Sequence, residues 1–287
     1  MKKAADIIEI SLKPGVQPQI DAALAMRSAG RLEEALRALA KPSEFSAQLY
    51  TIRGEIEFAV GRFEDAALSY FAVVHSEPGN AAAHYNLALC LQRSDRWDAS
   101  CQAFERALSL DPGRDTARLG LGASLLYLNR LEEALATFEQ CSDAFAGPAS
   151  FGKAVALQLM HRCGEAEAAY EIPLASTPSN AGETLSNLIA LAVEMQDYDR
   201  VRDYSQRLLR IVPQSPAAWQ GLAAAALVRQ DHHAAARYCD RILQIAPDCL
   251  EAWHNLGVAL NRILKSFSAP HPVAAVPAPR PAQWEVG

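Results

Sequence analysis

Aromatic residues are scarce in this chain, at 7% of 287 residues, and methionine occurs 4 times. A sheet core draws on aromatic and β-branched side chains. Their scarcity beside abundant alanine therefore points to closely packed helices. Charge of one sign is also missing. The formal net charge is −6 with both signs spread along the chain, which leaves no basic footprint for nucleic acid. No uncharged apolar run reaches the eighteen or so residues of a membrane span. The start, Met1-Lys2-Lys3, is basic, but Asp6 and Glu9 interrupt the apolar stretch that an export signal needs. We expect a soluble, cytoplasmic protein without membrane insertion. The excess of Arg over Lys points to a bacterial source.

Pairs of the Cys-x-x-Cys type are absent. Cys90, Cys101, Cys141, Cys163, Cys239 and Cys249 stand singly in alanine-rich context, the pattern of small reduced core residues. Gly-x-Ser-x-Gly and His-Glu-x-x-His are absent too.

What is present is a period. Ala217–Ala223 and Glu251–Gly257 each carry Trp, then Leu three residues on, then a small residue, and the two tryptophans, Trp219 and Trp253, lie 34 residues apart. A fixed period in this range marks stacked repeats. A second motif recurs at Ala29–Leu36, Val60–Ala67, Ser94–Ala99, Asn129–Ala134, Gln196–Asp199 and Gln230–Ala235. Each has a residue tolerant of left-handed backbone followed, in most copies, by acids. The first ends a helix and the acids suit the positive end of the next. A third signal is proline after each apolar helix, at Pro78, Pro112, Pro178, Pro213 and Pro247.

These residues resemble the tetratricopeptide-repeat family. The best single unit is Ala81–Arg114, with Leu87, Ala88, Leu91, Trp97, Phe104, Ala107 and Pro112 in place. It departs at Ser100, where the family prefers Ala. The resemblance implies an all-α, right-handed α-solenoid of antiparallel helix pairs. We place units near 16–46, 47–80, 81–114, 115–148, 149–181, 182–215 and 216–249. A lone cap helix at 250–266 follows, with an N-terminal lead at 1–15 and a proline-rich, disordered tail at 267–287. Two units look irregular. Lys41-Pro42 cuts the first short, and Pro173 predicts a kink or a shortened second helix in the fifth.

Candidate chemistry weighs little. Gly147–Lys153 has the spacing of a phosphate-cradling loop, but Ala154 stands where a magnesium-binding hydroxyl belongs and no strand precedes it. A repeat connector explains it better. Gly120 and Gly122 form half a dinucleotide fingerprint and fall where a repeat helix takes small residues. The pairs Glu33/Glu34, Glu64/Asp65 and Glu132/Glu133 diverge by about 100° around a helix, so they do not converge on a substrate. His232-His233 lacks a second ligand pair at metal spacing. Arg200, Arg202, Arg207 and Arg210, interrupted by Asp199 and Asp203, read as a solvated face. We expect no catalytic residue, no metal and no cofactor.

By resemblance, the first helix of each pair lines a concave groove. The candidate groove residues are Tyr85, Asn86, Leu89, Arg93, Leu119, Tyr127, Asn187, Glu194, Gln220, His254, Asn255, Val258 and Arg262. Asn86, Asn187 and Asn255 hold equivalent places, where an amide offers donor and acceptor to a peptide backbone. Asp21, Ile52, Gly120 and Gly221 break that ladder. The Lys/Asn/Arg clamp of chaperone-binding relatives is missing, with Thr51, Glu55, Tyr85, Leu89, Leu119 and Ala123 at its positions. The reading is a non-enzymatic interaction scaffold for a protein or peptide partner. The alternative is a regulatory or substrate-recruiting subunit for an enzyme, such as a glycosyl- or methyltransferase, or for secretion or assembly machinery. In the cap helix we expect Trp253, Leu256, Leu260 and Leu264 to pack on the preceding unit. Ala252, Ala259 and Ile263 would then form an outer edge, covered by Phe267 and the start of the tail, or by a partner or a second copy.

Overall fold

The computed structural model describes residues 16–40, 45–176 and 180–268. The expected lead at 1–15, Pro42 and the tail beyond Ser268 lie outside the described residues. Those residues form fifteen α-helices, one short 3-10 turn and no strand. The chain divides into two compact bodies, Met1–Pro178 and Ser179–Gly287.

The first body holds α1 (Val16–Ser28), α2 (Leu32–Ala38), α3 (Ala47–Ala59), α4 (Phe63–Ser76), α5 (Ala81–Arg93), α6 (Trp97–Leu110), α7 (Asp115–Tyr127), α8 (Leu131–Glu139), α9 (Ala146–Leu159) and α10 (Cys163–Ser176). The second holds α11 (Ala181–Glu194), α12 (Tyr198–Ile211), α13 (Pro216–Val228), α14 (His232–Ile245) and α15 (Leu250–Ser268). Within each body every helix packs on the next, and odd-numbered helices also touch (α5 on α7, α11 on α13). This is an α-solenoid of helix pairs. We call the odd helices A and the even ones B.

The turn inside each pair is built alike. Gly30, Gly61, Asp95, Asn129, His161, Gln196 and Gln230 all take positive φ. The next residue's N–H then reaches back to close the A helix, as Arg96 N to Leu91 O at 2.9 Å and Asp231 N to Ala226 O at 2.9 Å. The sequence motif marks every one of these turns except His161. After the turn, Arg31, Arg130 and Arg162 pair with Glu34, Glu133 and Glu165 three residues on. Arg62 instead grips Glu33 of the preceding pair through two bonds of 3.0 and 2.9 Å. The acid pairs thus serve helix starts and repeat contacts.

A second device joins consecutive pairs. Trp219 Nε1 donates to Pro213 O at 3.2 Å and Trp253 Nε1 to Pro247 O at 2.9 Å. His84 meets Pro78 O at 3.1 Å, and Arg118 meets Pro112 O. The place read as aromatic from the tryptophan echo is a hydrogen-bonding place, and it fastens α5, α7, α13 and α15 to the connector proline before each.

Two expectations need correction. Pro173 does not shorten α10, which runs 14 residues like α4, α6, α12 and α14. It lies near the helix end, so one missing N–H costs little further structure. The short B helix with full flanking geometry is instead α8, at 9 residues, followed by the 3-10 turn Asp143–Phe145. There the Asp115 carboxylate, buried at the start of α7, accepts from Ser142 N at 3.2 Å and Ser142 Oγ at 2.5 Å. Arg118 completes its shell at 2.5 Å. Finally, only Cys90, Cys101 and Cys239 are buried, while Cys141, Cys163 and Cys249 are half-buried; all six are free. Ser100 departs from the family pattern without penalty, since its hydroxyl donates to Ala88 O at 2.9 Å.

Candidate functional site

In the first body the predicted groove residues lie on α5 and α7, and each is tied into the fold. Tyr85, Leu89 and Leu119 are half-buried against the main core cluster. Tyr85 sits 5.9 Å from Phe104, with the Arg114 guanidinium 5.5 Å from its own ring. Asn86 hydrogen-bonds Tyr70, a buried tyrosine whose hydroxyl is pushed up first by desolvation and then by Glu55. Arg93 lies over the Phe63 ring at 4.6 Å. One period on, Tyr127 stacks on Trp97 at 3.9 Å and 4° between planes. The A helix thus ends on the first B residue of the pair before it, by cation–π in one repeat and stacking in the next. Of these six, only Arg93 and Tyr127 are exposed.

The second body places Asn187 on α11, Gln220 on α13 and Asn255 on α15, all half-buried. Gln220 Nε2 contacts Cys249 Sγ at 3.7 Å. Glu194 and His254 are exposed. Val258 and Arg262 come together. With Leu227, Val228, Gln230 and His232 they line a cavity of about 350 Å³ where α13, the start of α14 and α15 meet. Among the described residues Arg262 makes no ion pair. The Nδ1 atom of His232 is buried without a hydrogen-bond partner.

Sequence reasoning missed a larger feature on the B side of the first body. A groove of about 790 Å³ runs between α4 and α6, floored by Leu87 and Leu91 of α5. Its apolar wall is Leu68, 69% exposed, and Phe71, 61% exposed. The signal was legible in the repeat frame. Other B helices carry Gln102, Ala136, Ala168, Asp203 and Arg237 at the place of Leu68. At the place of Phe71 they carry Glu105, Glu139, Glu171, Gln206 and Asp240.

The loop-like glycine run Gly147–Lys153 is the N-terminal half of α9, so it is wound as helix and not as an open loop, and Pro148 within it has no N–H to offer. A Cβ on Gly152 would stand 2.6 Å from Phe138 Cε1, and one on Gly122 2.5 Å from the same atom. These glycines are sockets for an aromatic ring. Arg200, Arg202 and Arg207 pair with Asp197, Asp199 and Asp203 at 3.2, 3.5 and 3.7 Å. Among the described residues no three His, Cys, Asp or Glu side chains gather as a metal site would need. No helix among them is long and apolar enough to cross a membrane. Burial pushes the Cys90 thiol up to about 12, with Glu57 adding to the shift, so it stays a protonated core residue.

Comparison with known proteins agrees with this architecture. Tetratricopeptide-repeat family models match residues 80–146 and 216–259. No curated protein matches the chain. Among solved structures, a tetratricopeptide-repeat protein from Parabacteroides merdae is similar at 15% identity and a TM-score of 0.63, over 85% of this chain and 98% of that one. PilW, a type IV pilus biogenesis factor, is similar at 19% identity and 0.63, over 76% and 100%. YrrB, a repeat protein with an unusual peptide-binding site, is similar at 20% identity and 0.52, over 62% and 90%. Helix pairs, left-handed turns and proline connectors recur in one register through both bodies, and with two family matches the chain belongs to the tetratricopeptide-repeat family.

Proposed function

We propose that this chain is a non-enzymatic interaction scaffold that holds a peptide or helix of a protein partner against the A-helix face of its second body. The cavity beside α15 carries the reading. Val258, Leu227 and Val228 supply apolar wall, and Arg262 supplies a cation without an ion pair among the described residues. Such a lining suits a segment with one apolar anchor and a nearby carboxylate. Asn187 and Asn255 offer amide groups along the same row of helices. The unusual peptide-binding site of YrrB belongs to that protein and lends only precedent.

Photo-crosslinking residues at 187, 255 and 258, with a control at 68 on the B side, test the reading in the native cell. Crosslinks to one partner from the A-row positions, lost in Val258→Glu/Arg262→Glu, are the expected result. Crosslinks confined to position 68 overturn it. A captured partner with a catalytic domain would assign the chain to the recruiting class.

A further inference from the structure

The last helix differs from every other A helix. It runs 19 residues, against 13 in α13 and 14 in α11. Leu256 packs against the Ala223, Cys239 and Ile242 core as expected, but most of the rest of the helix has its faces reversed from the sequence expectation. Ala252 and Ala259 are buried, packed with Cys239 and Ile242 and with Ala234 and Ala235 of α14. They cannot form an outer edge for association. At these two places the helix meets small residues of α13 and α14, Ala223 and Cys239 at Ala252 and Ala226, Ala234 and Ala235 at Ala259, and a methyl group fills the contact. The larger residues point away. Leu250 is 83% exposed, Trp253 55%, Leu260 46%, Leu264 65% and Phe267 75%. Phe267 therefore covers nothing.

These residues fall at 250, 253, 257, 260, 264 and 267, with Gly257 completing the series. The spacing 3-4-3-4-3 is that of a coiled-coil seam. The seam spans about 26 Å of helix. Two properties make it self-complementary when run against itself. Pairing about its midpoint sets Gly257 opposite the partner's Leu260, and a Cβ on Gly257 would meet nothing within 4 Å, so the socket is open. The same pairing sets Trp253 opposite the partner's Leu264 and Leu250 opposite the partner's Phe267. Charge is segregated as well. Glu251 stands at one end of one flank and Lys265 at the other, neither in an ion pair among the described residues. Antiparallel pairing sets Glu251 and the partner's Lys265 on the same flank at the same level, whereas parallel pairing leaves them at opposite ends and stacks Gly257 on the partner's Gly257.

We propose that α15 pairs with α15 of a second copy of this chain in an antiparallel, two-fold arrangement, so that the seam closes on itself. A closed two-fold contact uses the same patch twice and ends there. It replaces the B helix that follows every other A helix.

Sedimentation equilibrium on the full chain tests this. The mass should rise with concentration from 31.1 kDa toward twice that value. Leu260→Glu should weaken the dimer by on the order of a hundredfold or more, since it enters the seam twice. Gly257→Leu raises helix propensity but fills the socket, and should weaken it as well. Glu251→Lys and Lys265→Glu should each weaken it by about threefold to tenfold, and an equimolar mixture of the two should restore it. Helix content by circular dichroism should be unchanged in each. A monomer at every concentration overturns the proposal, as does a dimer indifferent to Leu260→Glu and Gly257→Leu. So does a dimer that forms only after removal of 269–287, which would assign the seam to that segment.

Discussion

The two bodies fill the same repeat core from opposite sides. In the first, the bulk comes from B helices: Tyr70, Phe104, Phe138 and Tyr170 occupy one equivalent place, all buried. The A helices receive them with glycine. A Cβ on Gly54 would stand 2.9 Å from Tyr70 Cε2, one on Gly120 2.7 Å from Phe104 Cε1, and Gly122 and Gly152 flank Phe138 from two sides. In the second body that place holds Ser205 and Cys239, both fully buried. There the volume comes from the A helix α11, through Leu185, Leu188, Ile189 and Leu191. Packing density is what the repeat conserves, and it can be met by a large side chain on either helix provided the facing one is small.

The sharpest way to break the comparison is Phe138→Ala. It leaves two glycine sockets facing a void, and should cost about 3–5 kcal/mol. Hydrogen exchange should show the lost protection on α7, α8 and α9. Next comes transplanting the first body's rule into the second. Ser205→Phe puts a ring against Gly221, the glycine facing this place, where Ile189 and Val201 already crowd the space beside that glycine, and should cost about 1–3 kcal/mol of overpacking. Ser205→Ala should do the reverse. The Ser205 hydroxyl is buried without a hydrogen-bond partner, so its removal should stabilise the second body by up to about 1 kcal/mol in urea unfolding. Equal losses from Ser205→Phe and Phe138→Ala would show that the bodies do not differ as described.

The pH response of the first body should be a smaller effect. Hydrogen bonds from Ser142 hold the Asp115 carboxyl below its usual 3.8, opposed by burial and aided by Arg118. A depressed native value contributes stability above 3.8 that is lost as pH falls through the lower folded value. A thermal melt series should therefore show the α7–α8 region losing stability below about pH 4, and Asp115→Asn should remove that component of the acid dependence. The smallest effect should be at the turns. His161 holds φ at 57°. His161→Gly relieves left-handed strain but adds freedom to the unfolded chain, for a net gain of about 0.5 kcal/mol.

Much of this fold is legible in order along the chain because its determinants are local. The left-handed residue, the acids after it and the connector proline act within a few positions, so they locate turns and helix starts at residues such as Asn129, Glu133 and Pro112. Side-chain facing is another matter. Small residues at Ala252 and Ala259 read equally well as an outer edge or as a tight inner seat, and only the closeness of α14 decides between them. Pro173 reads as a break until the helix is seen to end three residues later. The groove residues read as a free surface, yet Arg93 and Tyr127 are spent on Phe63 and Trp97.

The sequence by itself determined the repeat, its period and its family, since a unit of one turn and two helices is specified by neighbours in the chain. Only the tertiary structure decided which face of each helix is left over. That depends on volumes met across helix pairs, Phe138 against Gly122 and Gly152 or Ala259 against Ala235, and such matches are invisible to any pattern read one residue after another.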